Sequence, residues 1–446
     1  MKKIFLLGFV SSFSLYGLTL DDTISKALQN NTQLKKISLQ TEQSSQIKKS
    51  KKANRYGKLN VLSSYDHYNS SRTLAPVAPV QTASDPTNAY KVPTTQDMFS
   101  TGINYIVVLF NGYAQQNSYK ISDILEKTSY MKEELAKEEL IYNIKSLYIS
   151  LLALQKQLIA QKEYTRSQKD LVSQIEYAYK LGKKSYLDTL KAKNSYQSSL
   201  YFEAKLSSNI DILKSSLTLL IGGEPFDKAE DIQIDIDTPI IDNKNITTLK
   251  RYKLAQLKSD VANKRVNLQK SSYYPIIDFS AYYGFNYGPN DTTNTYTDRN
   301  TNINTTYLEK GDWNSQEVWQ AGIHLKWNIF DFGEKSALLQ KEKIAKIEAQ
   351  LDIENTKLEI DKQLKNGYSK LKLAKTSYFS SKTELELLDE IAKVELIKYE
   401  NDAATITDLL DAQAKQKVAY AKMITSKYEY KKAKYYINYI LEKGIK

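Results

Sequence analysis

The chain has 446 residues, and only 15 Gly and 8 Pro interrupt it, which predicts long uninterrupted elements. It contains no Cys, so we expect neither disulfides nor a lipid-modified N-terminal cysteine. The formal net charge of +12 would suit a nucleic-acid binder, but the Lys residues are spread along predicted helices of an exported chain. We therefore expect no nucleic-acid partner.

The N-terminus has the layout of a secretory signal peptide. Two lysines precede an apolar run from Ile4 to Val10, and Gly17 follows after small residues. A basic start, an apolar run and a small-residue end are typical of exported proteins. We expect residues 1–17 to be removed, with an uncleaved anchor as the alternative. No later apolar run approaches the roughly 18 residues of a transmembrane helix.

The rest of the chain contains an internal repeat at a constant spacing. Seven residues of the first half recur exactly 220 positions later: Phe110, Tyr148, Leu151, Tyr179, Asp188, Leu190 and Ala192 return as Phe330, Tyr368, Leu371, Tyr399, Asp408, Leu410 and Ala412. Such a constant offset indicates a tandem duplication. We expect both halves to share one architecture.

Each half contains two segments in which apolar and polar residues alternate, as in strands with one apolar face. The alternation is clearest from Phe279 to Tyr287 and from Trp319 to Ile329, good from Phe99 to Leu109, and weak from Leu59 to Asn69. The intervening segments Arg72–Asp97 and Gly288–Ser315 are predicted to be long extracellular loops. Each half is thus expected to carry a β-hairpin.

Two tryptophans suggest which environment the apolar face meets. Trp319 and Trp327 share that face, about 26 Å apart along a strand, close to the height of the apolar band of an outer-membrane barrel. We predict that both belong to a membrane girdle in contact with outer-membrane lipid. A soluble sandwich strand is the alternative, but it would need a partner sheet that the sequence does not offer.

Long helices are predicted around each hairpin. Leu20–Tyr56 and Thr248–Tyr274 precede the strands, and Ala114–Lys180 and Glu334–Glu400 follow them. Shorter helices return over about Ser185–Ile221 and Thr405–Lys443. Apolar residues recur at alternating spacings of four and three, as in Leu140, Ile144, Leu147, Leu151, Leu154 and Leu158. This spacing predicts coiled-coil packing into a tube or bundle.

The domain organisation follows from these elements. Residues 1–17 are the signal peptide, 18–57 and 111–224 the first-repeat periplasmic helices, 58–110 the first β-hairpin with its loop, 225–247 a linker, 248–274 and 331–446 the second-repeat helices, and 275–330 the second β-hairpin with its loop. The predicted fold class is a mixed α/β membrane protein. Four strands cannot close a barrel, so several chains must share one. Two chains would give eight strands and three would give twelve.

Four motifs carry a resemblance to a known family. They are Ala27–Asn31, Tyr273–Pro275, Asn328–Gly333 and Asp408–Gln413, in this order. With them, essentially the whole mature chain resembles the TolC family of outer-membrane efflux and export channels. The resemblance implies a homotrimer with a twelve-stranded β-barrel in the outer membrane and an α-helical barrel across the periplasm. It also implies a periplasmic adaptor and an inner-membrane RND or ABC transporter as partners, and no catalytic site or cofactor.

The resemblance further implies a periplasmic aperture lined by a carboxylate ring of Asp408 and Asp411. Their spacing of three places both on one helix face. In a trimer, six carboxylates would favour cations and raise their own pKa values by mutual repulsion. The alternative is that two aspartates near a helix N-terminus only complement the helix dipole.

A closed-state latch is implied between Tyr399 and Asp188. The chain departs from the family pattern here, because Ala404 replaces a supporting basic residue and Asp402 replaces a glycine that the first copy keeps. We expect a weaker latch, or one rebuilt from Lys183 or Lys184. The family resemblance implies that adaptors dock at the tip segments Gly182–Tyr186 and Asp402–Ile406. The tip residues are Gly182, Lys183, Lys184, Ser185, Asp402, Ala403, Ala404 and Thr405.

Three functional readings remain. The leading one is the passive exit duct of a tripartite pump that exports small molecules. The second is the outer-membrane component of a type I protein secretion system, which would use the same fold. The third, of a different class, is a periplasmic coiled-coil structural or adaptor protein without a pore. The two histidines, His67 and His324, lie in predicted strands, and we expect no metal site from them.

Overall fold

The computed structural model describes residues 17–74, 94–236, 245–297 and 304–444. Nearly all of the predicted signal peptide, most of the predicted loop Arg72–Asp97 and much of the predicted linker lie outside the described residues. The chain divides into two compact units. We call them the helical unit, with the described residues of 1–42, 128–256 and 351–446, and the sheet unit, with those of 43–127 and 257–350.

The described elements alternate between helices and strands along the chain. In order they are α1 (Leu20–Asn30), α2 (Thr32–Ala53), β1 (Lys58–Thr73), β2 (Thr94–Phe110), α3 (Ala114–Lys180), α4 (Tyr186–Leu220), α5 (Lys250–Lys270), β3 (Ile276–Thr297), β4 (Asn304–Lys326), α6 (Glu334–Glu400) and α7 (Ile406–Ile440). None of the helices within the described ranges combines the length and the apolar character needed to cross a membrane.

The long helices confirm the sequence prediction closely. Helices α3 and α6 have 67 residues each, and α4 and α7 have 35 each. The predicted seam lies inside the helical unit, where Leu140, Ile144 and Leu151 are buried around Tyr148. The Tyr148 hydroxyl lies 2.8 Å from the carbonyl oxygens of both Leu18 and Glu230, either of which can accept its single proton. Apolar spacing therefore identified the residues that hold these helices together.

The prediction of one helix over Leu20–Tyr56 is wrong, because α1 and α2 are separate helices. Asn31 leaves the helical conformation, and its Oδ1 accepts from the backbone N–H of Leu34 at 2.9 Å. This is an N-cap for α2. The Asn31 Nδ2 also donates to the carbonyl of Leu220 at 2.9 Å. The break thus depends on a residue that is distant in sequence, which a local pattern could not reveal.

The four strands form one antiparallel sheet in the order β1-β2-β3-β4. Rows across the sheet follow the predicted faces, for example Val61, Ile103, Tyr283 and Trp319. The weak alternation in the first segment did mark a strand, β1.

The predicted second loop, Gly288–Ser315, is wrong over most of its length. Strands β3 and β4 stay paired through Thr297 and Asn304, with a register shift between Pro289 and Asp291. The sequence of this segment is rich in Asn and Thr and does not alternate, so the strand signal disappears although Thr favours strands. At its other end β4 stops at Lys326, not at Ile329.

Candidate functional site

The two helical hairpins of the helical unit end in turns of the same design. After α3, Gly182 has φ +66°, and after α6, Asp402 has φ +58°. The next residue in each turn donates its N–H to a carbonyl five residues back, Lys183 to Ala178 at 2.9 Å and Ala403 to Lys398 at 2.8 Å. This is the Schellman arrangement that ends helices. The second turn places a charged side chain where the first places glycine.

Both return helices begin with a capping box. In α4, Ser185 Oγ accepts from the Asp188 N–H and the Asp188 carboxylate accepts from the Ser185 N–H, both at 3.1 Å. In α7, Thr405 and Asp408 repeat these contacts at 3.3 and 3.0 Å. Two backbone donors are thereby satisfied at each helix start. Asp188 and Asp408 are therefore both engaged by their own helices.

Lys184 connects the first turn to the second. Its ammonium forms an ion pair with Asp402 and lies 4.2 Å from the centroid of the Tyr399 ring. It also approaches the Tyr399 carbonyl at 3.5 Å. The ion pair lowers the pKa of the Asp402 carboxyl. Lys184 thus contacts a carboxylate, a ring face and a carbonyl of the other hairpin.

Tyr399 lies beneath this contact, in a core with Ile175, Ala192 and Ile406. Within the part of the chain that the structure describes, its hydroxyl has no hydrogen-bond partner. Burial, with the nearby charges of Asp188 and Asp402, raises the pKa of Tyr399 to about 12. The Asp188 carboxylate faces its capping partner, so the structure contains no direct hydrogen bond between it and Tyr399.

Asp408 and Asp411 are both exposed on the first turns of α7. The Asp411 carboxylate pairs with Lys415 at 2.6 Å. Hydrogen bonds from the Thr405 hydroxyl and backbone lower the pKa of Asp408 within one protomer. This direction is opposite to the repulsion expected from a trimeric ring.

Two further contacts between the hairpins were missed from the sequence. Lys191 Nζ donates to Thr407 Oγ1 at 2.8 Å, and Gln168 Nε2 donates to Gln413 Oε1 at 2.7 Å. No motif marks these side chains, because polar residues on long helices give no signal of their partners. Together with Lys184 they form a polar seam between the hairpins.

The predicted docking-tip residues do come together at the two turns. Gly182, Lys183, Ser185, Asp402, Ala403 and Thr405 are exposed, whereas Lys184 and Ala404 are half-buried. Directly after the first turn, Tyr186, which belongs to the predicted tip segment, and Leu187, which was missed from the sequence, are both exposed. They add an apolar edge to the tip surface.

In the sheet unit, the predicted girdle tryptophans are exposed. Trp319 is paired with Tyr283, and Trp327 Nε1 donates to the Tyr273 carbonyl at 3.1 Å. A third tryptophan, Trp313, was assigned to a loop by sequence but packs 5.2 Å from the ring of Phe99. The strand extension brings it into an aromatic cluster that also includes Tyr65 and Tyr287.

The histidines occupy different rows of the sheet. His67 Nδ1 lies 2.7 Å from Asp97 Oδ1, and His324 Nδ1 lies 3.4 Å from Asp278 Oδ2. Among the described residues, no group of three or more His, Cys, Asp or Glu side chains could hold a metal ion.

The helical hairpins, their turns and most of the sheet lie in two segments that one family model matches. The family model described as outer membrane efflux protein matches residues 23–223 and 253–437. The chain belongs to the outer membrane efflux protein family. Both matched segments contain one of the two helical turns.

Individual relatives of this efflux protein are distant in sequence. Nodulation protein T of Rhizobium leguminosarum bv. trifolii is 21% identical over 332 residues, which cover 71% of this chain and 66% of that protein. The match thus spans slightly less than two thirds of the relative's length.

Solved structures show the same fold. A membrane protein from Pseudomonas aeruginosa has 15% identity and a TM-score of 0.76, covering 95% of this chain and 90% of that one. The CmeC outer membrane channel of Campylobacter jejuni has 18% identity and a TM-score of 0.75, covering 95% and 86%.

Membership of the outer membrane efflux protein family places the chain in the outer membrane, with a part that extends into the periplasm. The family consists of efflux channels rather than enzymes.

Proposed function

We propose that three copies of this chain form the passive exit duct of a tripartite pump that exports small molecules across the outer membrane. A periplasmic adaptor and an inner-membrane RND or ABC transporter would complete the pump and supply the energy. The observation that carries the proposal is the pair of helical turns, closed by matching caps and followed on α7 by two exposed carboxylates, Asp408 and Asp411.

The sheet supports assembly from several copies. Its order leaves one side of β1 and one side of β4 without a partner strand among the described residues. In lipid, each unpaired backbone N–H or C=O group costs a free energy of roughly several kcal/mol, so the open strand edges must be covered. Pairing the β4 edge of one copy with the β1 edge of the next would satisfy both, and three copies would supply twelve strands.

The aperture is proposed to lie at the turns. In a trimer, Asp408 and Asp411 of the three copies would form rings that attract cations. Because Thr405 lowers the pKa of Asp408 in one protomer, the capping contact would keep this carboxylate charged despite repulsion between copies. The capping role and the ring role are therefore compatible.

The proposed latch uses a different set of residues from the one that the family resemblance implies. Lys184 would hold the two hairpins together through Asp402 and the Tyr399 ring, and so replace the direct link between Tyr399 and Asp188 that the family resemblance implies. The exposed residues around it, with Tyr186 and Leu187, would form the surface on which the adaptor docks.

Three measurements on a deletion strain and on the same strain carrying plasmid-borne wild type test this function. We expect loss of the chain to raise the cellular accumulation of toxic small molecules, and plasmid-borne wild type to restore export. Crosslinking in intact cells, followed by mass spectrometry, should recover an adaptor and a transporter. The secreted proteins should be unchanged.

Other results would favour the other functions. Loss of one secreted protein, with unchanged small-molecule export, would replace the proposal with type I secretion. A purified outer-membrane protein that gives no conductance in planar bilayers would instead favour a structural protein without a pore.

A further inference from the structure

A cavity of about 770 Å³ opens in the helical unit between α3, α4 and α7. Its volume is in the range of small-molecule sites, which measure about 300–1,000 Å³. The lining is mostly apolar, with Phe202, Leu206 and Val418 among its side chains. None of the proposed aperture and latch contacts requires a cavity here.

Lys417 gives this cavity a positive wall. Its ammonium lies 4.8 Å from the centroid of the Tyr164 ring and 4.6 Å from that of Phe202. The side chain is half-buried, and no carboxylate of the described residues forms an ion pair with it. Burial lowers the pKa of Lys417. Two ring faces stabilise the cation, but no anion neutralises it.

The other charged groups of the lining leave the cavity net positive. Lys191 and Lys205 also line it, against a single carboxylate, Asp411. That carboxylate is already paired with Lys415 at 2.6 Å. An anion entering the cavity would therefore meet three ammonium groups and little opposing charge.

A buried amide adds a polar acceptor. Gln161 lines the cavity and is 2% exposed. Its Nε2 donates to the Ser199 carbonyl at 2.9 Å and to Thr165 Oγ1 at 3.3 Å. Its Oε1 has no partner among the residues that the structure describes. A buried acceptor of this kind gains from a hydroxyl or N–H donor on a bound molecule.

We propose that this cavity is a binding site for an amphipathic organic anion. Its apolar ring body lies against Phe202 and Leu206, and its carboxylate or sulfonate pairs with Lys417, beside the buried amide of Gln161. Because the site is built within one protomer, the inference does not rest on the proposed export function.

The test uses the detergent-purified native assembly and two fluorescent probes with similar ring bodies. Anilinonaphthalene sulfonate carries an anion, whereas phenylnaphthylamine is neutral. We expect wild type to bind the sulfonate about tenfold more tightly than the amine, because a charge-assisted contact is added to the same apolar contact. Lys417→Met should abolish most of this preference and leave amine binding unchanged.

Two further variants complete the design. Lys422→Met removes the same charge from α7, at a residue that pairs with Glu384 at 2.7 Å outside the cavity lining, and should bind as wild type does. Phe202→Leu keeps the charge and removes one ring, so it should weaken both probes. It provides a second readout if Lys417→Met does not assemble.

The outcomes separate the possibilities. Equal weakening of both probes by Lys417→Met would overturn the anion assignment and leave only an apolar groove. Equal loss of sulfonate binding in Lys417→Met and Lys422→Met would show general charge attraction and would overturn the site. Unchanged binding of both probes in Phe202→Leu would place them elsewhere.

Discussion

Lys184 and Asp402 form an ion pair that joins the turn after α3 to the turn after α6, and the same ammonium lies over the Tyr399 ring. The Lys184 side chain is 19% exposed, whereas that of Asp402 is 77% exposed. The cation is thus held by its surroundings, and the carboxylate meets it from the solvent side. If these hairpins separate when the aperture opens, this contact must break.

Lys184→Met should increase the open fraction of the channel in planar bilayers by a few fold, because it removes both the ion pair and the cation–ring contact. Lys183→Met is the matched control, since it removes an adjacent exposed lysine that forms no ion pair among the described contacts. Equal opening in both variants would assign the effect to overall charge rather than to the latch.

The latch contact should weaken in strong acid. Lys184 lowers the pKa of Asp402 in the folded protein, so the stabilisation is fully present above the ordinary aspartate pKa of about 3.9. It is lost as the pH falls through the lowered value. We expect the open fraction of the wild-type channel to rise below about pH 4. Asp402→Asn lacks the ion pair already at neutral pH, so its open fraction should rise less. Identical pH profiles would exclude Asp402 as the responsive group.

The two substitutions at Tyr399 should differ. Tyr399→Phe removes a buried hydroxyl that has no partner among the described residues, so it should leave the open fraction unchanged. Tyr399→Leu removes the ring beneath Lys184 and should increase opening. This expectation departs from the family-like latch, in which the hydroxyl itself bonds Asp188. Strong opening by Tyr399→Phe would restore that latch.

Asp411→Asn should reduce cation selectivity and block by divalent ions if the carboxylate rings form. It is a cleaner test than a change at Asp408, because Asp408 also caps α7 and its loss would disturb the helix start. Lys415→Met should have the opposite effect, since it frees the Asp411 carboxylate from its partner. Reversal potentials in a salt gradient measure both; no change in either variant would contradict the ring.

Sequence patterns predicted the elements whose packing is local and repetitive. The bounds of α3 and α6 followed from an unbroken apolar seam and the scarcity of Gly and Pro. The break at Asn31 was missed because Leu220, nearly two hundred residues away, helps to fix it. The extension of β3 and β4 was missed because the Asn- and Thr-rich sequence of 288–315 does not alternate between apolar and polar residues.

The candidate site was predictable only in part. The departures at Asp402 and Ala404 predicted a latch that is weaker or is rebuilt from Lys183 or Lys184. Only the direction of the side chains selects Lys184. Lys417 gave no signal at all, because its two aromatic partners lie on helices more than two hundred residues earlier in the chain.

The backbone of the second turn has one further consequence. Asp402 adopts a left-handed conformation that glycine adopts without strain at the equivalent Gly182, and Ala404 stands where the first turn has Lys184. Each turn therefore lacks the charge that the other carries. A chain built from two first halves would place the lysine opposite a glycine, and one built from two second halves would place the aspartate opposite an alanine, so neither would form the ion pair. The ion pair therefore requires one turn of each kind, and the two halves are no longer interchangeable at this contact.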